Sequence, residues 1–362
     1  MKELTDNQDF KFYSYTSLWY DDLFEDIREA KKYVFIESFR IANDLVGKQL
    51  CDVLLDAHAK GVKVKVLVDW WGTGLRNPYL NKLSESGVEI RYFKKIIISA
   101  LLFTNNHCRD HRKIVAIDDK IAYIGSANIT QYSTQWRESI LRLQGNVATV
   151  FKKIFNDNFK IYNKDFSRPW IHKAFHRTIL FDNLFFIREV PSVFSQRIKK
   201  NYLKLLKKAK ESIIIETPYF LPGYRINKEL FNAVKRGIDV TIIVPQNSDI
   251  KTIDLIRRDI LKRLNKVGVK VLLYMHNNLH AKLLSIDNQT FSISSANIDQ
   301  RSFRYMFEIA LIGENPNINT LINAHITATK SMCQPFDKNS WRPNNLFQRI
   351  LSLILLPFSN LF

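Results

Sequence analysis

The chain has 362 residues, 46% hydrophobic and 25% charged, which is long enough for two domains and too apolar for a disordered chain. Lysine plus arginine is 54 against 35 acidic residues, a formal net charge of +19, so polyanions are the expected partners: nucleic acid or the anionic face of a membrane. Cys51, Cys108 and Cys333 are too few for a disulfide framework and fit a reducing compartment.

The opening segment MKELTDNQDFKFYSY lacks the apolar run of a secretion signal, so none is expected. An amphipathic helix then leads into AKKYVFIES (Ala30 to Ser38), an apolar, β-branched strand that ends near a Glu. After a second helix comes GVKVKVLVD (Gly61 to Asp69), and after a third GVEIRYF (Gly87 to Phe93). The series recurs further on as AKESIIIET (Ala209 to Thr217), GIDVTIIVP (Gly237 to Pro245) and GVKVLLYM (Gly268 to Met275). Each Gly follows a helix and precedes a buried strand, as a C-cap does. The repeat predicts two α/β units, each a mixed sheet covered by helices: a first half over 1–164 and a second over 191–335. Residues 165–190 have no clear counterpart and are expected to be the linker. The remainder, 336–362, ends in LFQRILSLILLPFSNLF (Leu346 to Phe362). It is apolar but interrupted by Gln348, Arg349, Ser352 and Pro357, and it suits a last helix packed on the body or a membrane-interface segment better than a bilayer span.

The repeat closes on its most informative part. The first half has HRKIVAIDDKIAYIGSAN (His111 to Asn128) and the second HAKLLSIDNQTFSISSAN (His280 to Asn297). Alternate strand residues face one side, so His111 pairs with Lys113 and His280 with Lys282. A turn at Asp118 or Asp287 and a returning strand then bring Ser126 and Asn128, or Ser295 and Asn297, back beside the pair. Two imidazoles, two ammoniums, two hydroxyls and two amides suit a phosphate, with Lys113, Lys282, Ser126, Ser295, Asn128 and Asn297 as its expected contacts. One histidine can attack phosphorus and the other protonate the leaving alcohol. Asp118 and Asp287 stand at strand-to-turn junctions, where Asp caps turns, and are read as structural.

The paired pattern resembles the phospholipase D superfamily, whose signature is H-x-K-x(4)-D-x(6)-G-S-x-N. The first copy matches throughout and the second departs only at Ser294. The resemblance runs from about Ser17 to Lys330. It implies two homologous α/β/α sandwich halves related by a pseudo-twofold axis around one shared active site, and chemistry that needs no cofactor or metal. It also implies that Glu138 and Glu308 each hydrogen-bond a catalytic histidine, in the same half or the opposite one. IESFRIANDLVGKQL, ETPYFLPGYRI, AVKRGIDVTIIVP and SSANIDQRSFRYMFEI are most similar to bacterial cardiolipin synthases of the short type without N-terminal transmembrane helices. By that resemblance the chain is expected to be a phosphatidyltransferase working through a phosphohistidine, with His111 as nucleophile and His280 as acid and base. Two phosphatidylglycerols would give cardiolipin plus glycerol at the cytoplasmic face of the cell membrane, held peripherally on anionic phospholipid. Phospholipid hydrolysis and a nuclease activity are the alternatives, nucleic acid being the less favoured partner. His107, Cys108 and His111 fall short of the four ligands of a structural zinc, and no metal is expected. His58, His172, His176, His276 and His325 are given no role, Glu37 and Glu216 stay unassigned, and oligomeric state is not legible.

Overall fold

The computed structural model describes residues 9–74, 77–93, 108–162, 178–192 and 194–337. The C-terminal apolar stretch and His107 lie outside them. The first half carries a seven-stranded sheet in the order Phe10–Tyr13, Ile140–Gln144, Ile121–Gly125, Ile114–Ile117, Tyr33–Ser38, Lys63–Asp69, Glu89–Phe93. The second half repeats it strand for strand as Leu184–Glu189, Met306–Gly313, Thr290–Ser294, Leu283–Ile286, Ser212–Glu216, Asp239–Pro245, Lys270–Tyr274. Ile179–Phe181 and Cys333–Pro335 extend its two edges. In both sheets the last three strands of the series run parallel and the others are antiparallel, the mixed sheet that the repeat predicts.

Local chemistry explains the elements. Helix Leu45–Ala59 starts where Asp44 accepts a hydrogen bond from Gly47 N at 3.0 Å. It stops at Gly61, whose φ of 85° lets Gly61 N reach His58 O at 2.9 Å and Val62 N reach Ala57 O at 3.1 Å. Gly237 (φ 84°) ends helix Gly223–Lys235 the same way. In strand Lys63–Asp69 the alternation sends Val64, Val66 and Val68 to an outer core beneath the helices and Leu67 to an inner one.

That inner core joins the halves. It packs Ile114, Leu141, Phe151 and Phe155 of the first with Phe186, Leu283, Ile309 and Ile322 of the second. Helices Ala148–Ile161 and Pro316–Ser331 contribute to it, whereas the remaining long helices cover the outer faces.

The linker expected over 165–190 is corrected in its second part. Leu184–Glu189 pairs antiparallel with Met306–Gly313 and occupies the place that Phe10–Tyr13 holds in the first sheet. Leu184 and Phe186 enter the inner core and Ile187 the outer one. The charged end of LFFIRE masks the strand in the sequence. Arg188 is buried against Asp157 at 2.9 Å, and Glu189 accepts from Ile198 N at 2.8 Å.

Candidate active site

Each His-x-Lys segment is fixed by the opposite half. Arg109–Asp110 pairs in parallel with Met306–Phe307, and His111 N donates to Phe307 O at 2.9 Å. His280 N donates to Arg137 O at 2.7 Å. The residue after each of these carbonyls is a glutamate, so the acids cross between halves. His111 Nδ1 lies 2.9 Å from Glu308 Oε1, and His280 Nδ1 lies 2.8 Å from Glu138 Oε1. With Nδ1–H held by a carboxylate, each imidazole turns Nε2 to a substrate.

The lysines close on their own histidines: Lys113 Nζ donates to His111 O at 2.7 Å and Lys282 Nζ to His280 O at 2.8 Å. All four side chains belong to buried residues. Asn128 and Asn297 are also buried, and neither Oδ1 has a partner among the described residues. Two buried, orphaned amide oxygens in the motif mark a place for a polar ligand.

Ser126 and Ser295 need correction as phosphate contacts. Both are fully buried, and their hydroxyls donate to Glu138 and Glu308 respectively while accepting from Ser139 N at 2.8 Å and Ile309 N at 3.0 Å. These hydroxyls fix the glutamates and have nothing left to offer a phosphate. Asp118 and Asp287 also point away from the site. Asp118 accepts from Lys31 N, Lys32 N and Tyr33 N at 2.5, 2.7 and 2.8 Å. Asp287 accepts from Lys210 N, Glu211 N and Ser212 N at 3.0, 2.8 and 2.9 Å. Each carboxylate thus secures the entry of the neighbouring strand.

Burial in a cationic site governs the electrostatics. Burial pushes Lys113 down to about 7 and Lys282 down to about 8. His111 sits well below its ordinary value through burial, then through the fields of Lys113, Lys282, His280 and Arg301. His280 is also lowered by burial, but Glu138 and Asp249 oppose the shift. The two glutamates differ. Burial lifts Glu308 to about 7. Glu138 feels the same burial, yet His280, Lys282 and the Ser126 hydroxyl outweigh it and hold the carboxyl below its usual range.

Several residues at the site carried no signal in the sequence. Phe39 meets His111 edge-on at 5.1 Å and Trp136 meets His280 at 5.5 Å between ring centroids. Trp136 also lines a polar cavity of about 430 Å³ with Gln135, Asp249, Asn277 and Asn278. His325 bridges the halves, with Nδ1 2.7 Å from Ser14 Oγ and Nε2 2.9 Å from Glu216 Oε2. Glu37 accepts from Arg112 at 3.1 Å and from Asn158 at 2.9 Å, which gives both strand-end glutamates buried structural partners.

Comparison with known proteins places this architecture. The profile of the family described as cardiolipin synthase, PLD-like domain, matches residues 23–163 and 202–329. A cardiolipin synthase of Clostridium perfringens is 28% identical over 96% of this chain and 75% of its own length. One of Oceanobacillus iheyensis is 30% identical over 84% of this chain and 65% of its own length. Among solved structures, phosphatidylserine synthase of Haemophilus influenzae superposes with a TM-score of 0.77 at 14% identity, covering 97% of this chain and 93% of that one, a likeness of fold. With both halves matched by the family profile, the chain belongs to the cardiolipin synthase, PLD-like domain family.

Proposed function

We propose that the chain is a phosphatidyltransferase that makes cardiolipin and glycerol from two phosphatidylglycerols through a phosphohistidine on His111. The observation that carries the reading is the crossed pair of histidine–glutamate contacts at 2.9 and 2.8 Å, set in unlike electrostatic surroundings. His111, the more strongly lowered, is neutral with a free Nε2 lone pair, as a nucleophile must be. His280 faces an ionised Glu138, which stabilises an imidazolium, and an arriving phosphodiester anion strengthens that charge.

In the first step His111 Nε2 attacks phosphorus and the P–O bond to the first glycerol breaks. The electron pair goes to that oxygen, and the His280 Nε2 proton follows it. In the second step a hydroxyl of another phosphatidylglycerol gives its proton to His280 and attacks phosphorus, and the N–P bond breaks. Lys113, Lys282, Asn128 and Asn297 hold the phosphoryl oxygens throughout. The polar cavity beside Trp136 opens on the His280 side and gives alcohols their route. Donor and acceptor lie in one anionic bilayer, and the protein works as a peripheral enzyme on its cytoplasmic surface. Among the described residues no helix is long and apolar enough to cross a membrane.

The test is lipid analysis after incubation of the full chain with phosphatidylglycerol vesicles, with label followed on the protein after denaturing quench. Cardiolipin and glycerol are expected from the wild type and neither from His111→Ala or His280→Ala; only His280→Ala is expected to retain phosphatidyl label. Label on His111→Ala overturns the nucleophile assignment. Phosphatidic acid as sole product makes the protein a phospholipase. DNA cleavage abolished in His111→Ala, without lipid turnover, makes it a nuclease.

A further inference from the structure

Away from the histidines, the second half holds a cavity of about 510 Å³ lined by Lys199, Lys200, Arg225, Arg304 and the aromatic side chains of Phe194 and Tyr224. Among the described residues Lys199, Arg225 and Arg304 make no ion pair, whereas Arg188, buried elsewhere in the protein, pairs with Asp157. Lys199 is only 8% exposed, and its hydrogen-bond partner is a neutral amide, Gln300 Oε1, at 3.2 Å. Burial and then the charges of Arg304 and Arg225 push this lysine down to about 8, the mark of cations gathered without a counter-charge. Arg304 Nε is buried without a partner.

The cup is built by packing. Gly223, at φ 73°, brings its backbone so close that a Cβ there would stand 2.1 Å from Gln300 Nε2. Gln300 Nε2 donates to Pro222 O at 2.8 Å, which turns its oxygen to Lys199. Helices Arg197–Lys208 and Gly223–Lys235 and the short helix Gln300–Tyr305 therefore hold four cations around one hollow. Its rim is apolar: Phe194 is 87% exposed and Tyr224 76%, more than any other large hydrophobic side chain described. A cationic cup suits a phosphate, and solvent-facing aromatics beside cations suit the boundary between headgroups and acyl chains.

We propose that this cup is a second phosphate site, separate from His111 and His280, that binds the headgroup of an anionic phospholipid while Phe194 and Tyr224 enter the membrane interface. The choice of lipid over another phosphodiester rests on the proposed function; the charge and shape of the cup do not. It would orient the enzyme on the bilayer and keep it there between turnovers.

The test uses the full chain with Arg225→Gln/Arg304→Gln and Phe194→Ala/Tyr224→Ala variants, both changed at exposed or half-exposed positions. Cosedimentation with phosphatidylcholine vesicles, with and without phosphatidylglycerol, measures binding. Turnover of a soluble phosphodiester reports the histidine site. Loss of the two arginines is expected to weaken binding to the phosphatidylglycerol vesicles about 10–30-fold, at roughly 1 kcal/mol per basic residue near an anionic surface, and to leave soluble turnover unchanged. Loss of the aromatics is expected to weaken binding to both kinds of vesicle. Wild-type affinity of the arginine variant for phosphatidylglycerol vesicles overturns the proposal even where the wild type makes cardiolipin, so the site fails without the function failing. Thermal stabilisation by inorganic phosphate that the arginine variant loses, with vesicle binding intact, makes it a free-phosphate site and also overturns it. So does loss of single-stranded DNA binding alone.

Discussion

Replacing Asp118 by Ala tests whether the acid of the motif acts in structure or in chemistry. Its carboxylate accepts three backbone N–H groups at the entry to strand Tyr33–Ser38. Of these residues only Tyr33 is buried, so its orphaned N–H costs about 1–3 kcal/mol, and the two at exposed residues about 1 kcal/mol each. Asp118 also sits at φ 54°, where Ala pays about 1 kcal/mol more. The sum is about 4–6 kcal/mol. Asp287 sits at φ 55° and makes three equivalent bonds to half-buried or exposed residues, so its loss is expected to cost about 4 kcal/mol, the low end of the Asp118 range. Asp118→Asn keeps one acceptor oxygen and tolerates the left-handed backbone, so about 1–2 kcal/mol is expected. Urea unfolding of the three variants ranks them, and soluble phosphodiester turnover per folded molecule should match the wild type in all. A stable Asp118→Asn whose turnover falls a hundredfold would refute the structural role and put the carboxylate into the reaction.

Two further outcomes concern the site. Glu138→Gln removes the charge that supports a His280 imidazolium and should lower kcat about 10²–10⁴-fold with KM little changed. Glu308→Gln replaces a carboxyl already lifted to about 7 and should cost nearer tenfold, so equal losses would contradict the division of labour between the histidines. Lys113 near 7 and Lys282 near 8 make anion binding draw protons from solution. A bound phosphodiester raises both values, so affinity should fall as pH rises from 7, by up to tenfold per unit for each lysine, until the bound-state values are passed. The ligand-free protein has the opposite linkage: the unfolded chain binds more protons at these lysines, so their contribution to stability grows as pH rises above 7. Calorimetry of glycerophosphoglycerol binding in two buffers of unlike ionisation enthalpy reads the proton uptake; a pH-independent affinity would show that the lysines stay charged in the free site.

Much of this was legible because the relevant order is local. His111 to Asn128 is one hairpin and its ends, so a period of two and a turn suffice to bring His, Lys and Asn together, and the same spacing repeats from His280. What depended on distant pairing was not. Ser126 reads as a phosphate ligand because its position along the strand is legible, whereas the Glu138 oxygen that takes its hydroxyl is set by the adjacent strand. Leu184–Glu189 reads as linker in the sequence because its partner, Met306–Gly313, is far away in the chain. Nothing in either motif says which glutamate serves which histidine, since that follows from how the halves dock. His325 had no motif at all; its place is set by Ser14 and Phe12 of the first half and by Glu216 of its own.

Docking is also what makes the site. The backbone that holds His111 is strung on Phe307, and the one that holds His280 on Arg137, so neither half alone contains a histidine with its acid. The crossing brings Lys113 and Lys282 into the same buried volume, with two glutamates to balance two lysines and two imidazoles. Full protonation would leave an excess of positive charge in a low dielectric, and the lowered lysines and histidines are the free protein's answer to that excess. An anion placed between them reverses the balance: it restores the protons to the lysines, strengthens the His280 imidazolium and leaves the more strongly lowered His111 neutral. On the proposed mechanism, the substrate's own phosphate therefore completes the charge state in which one ring attacks and the other donates, and it does so only where both halves surround it.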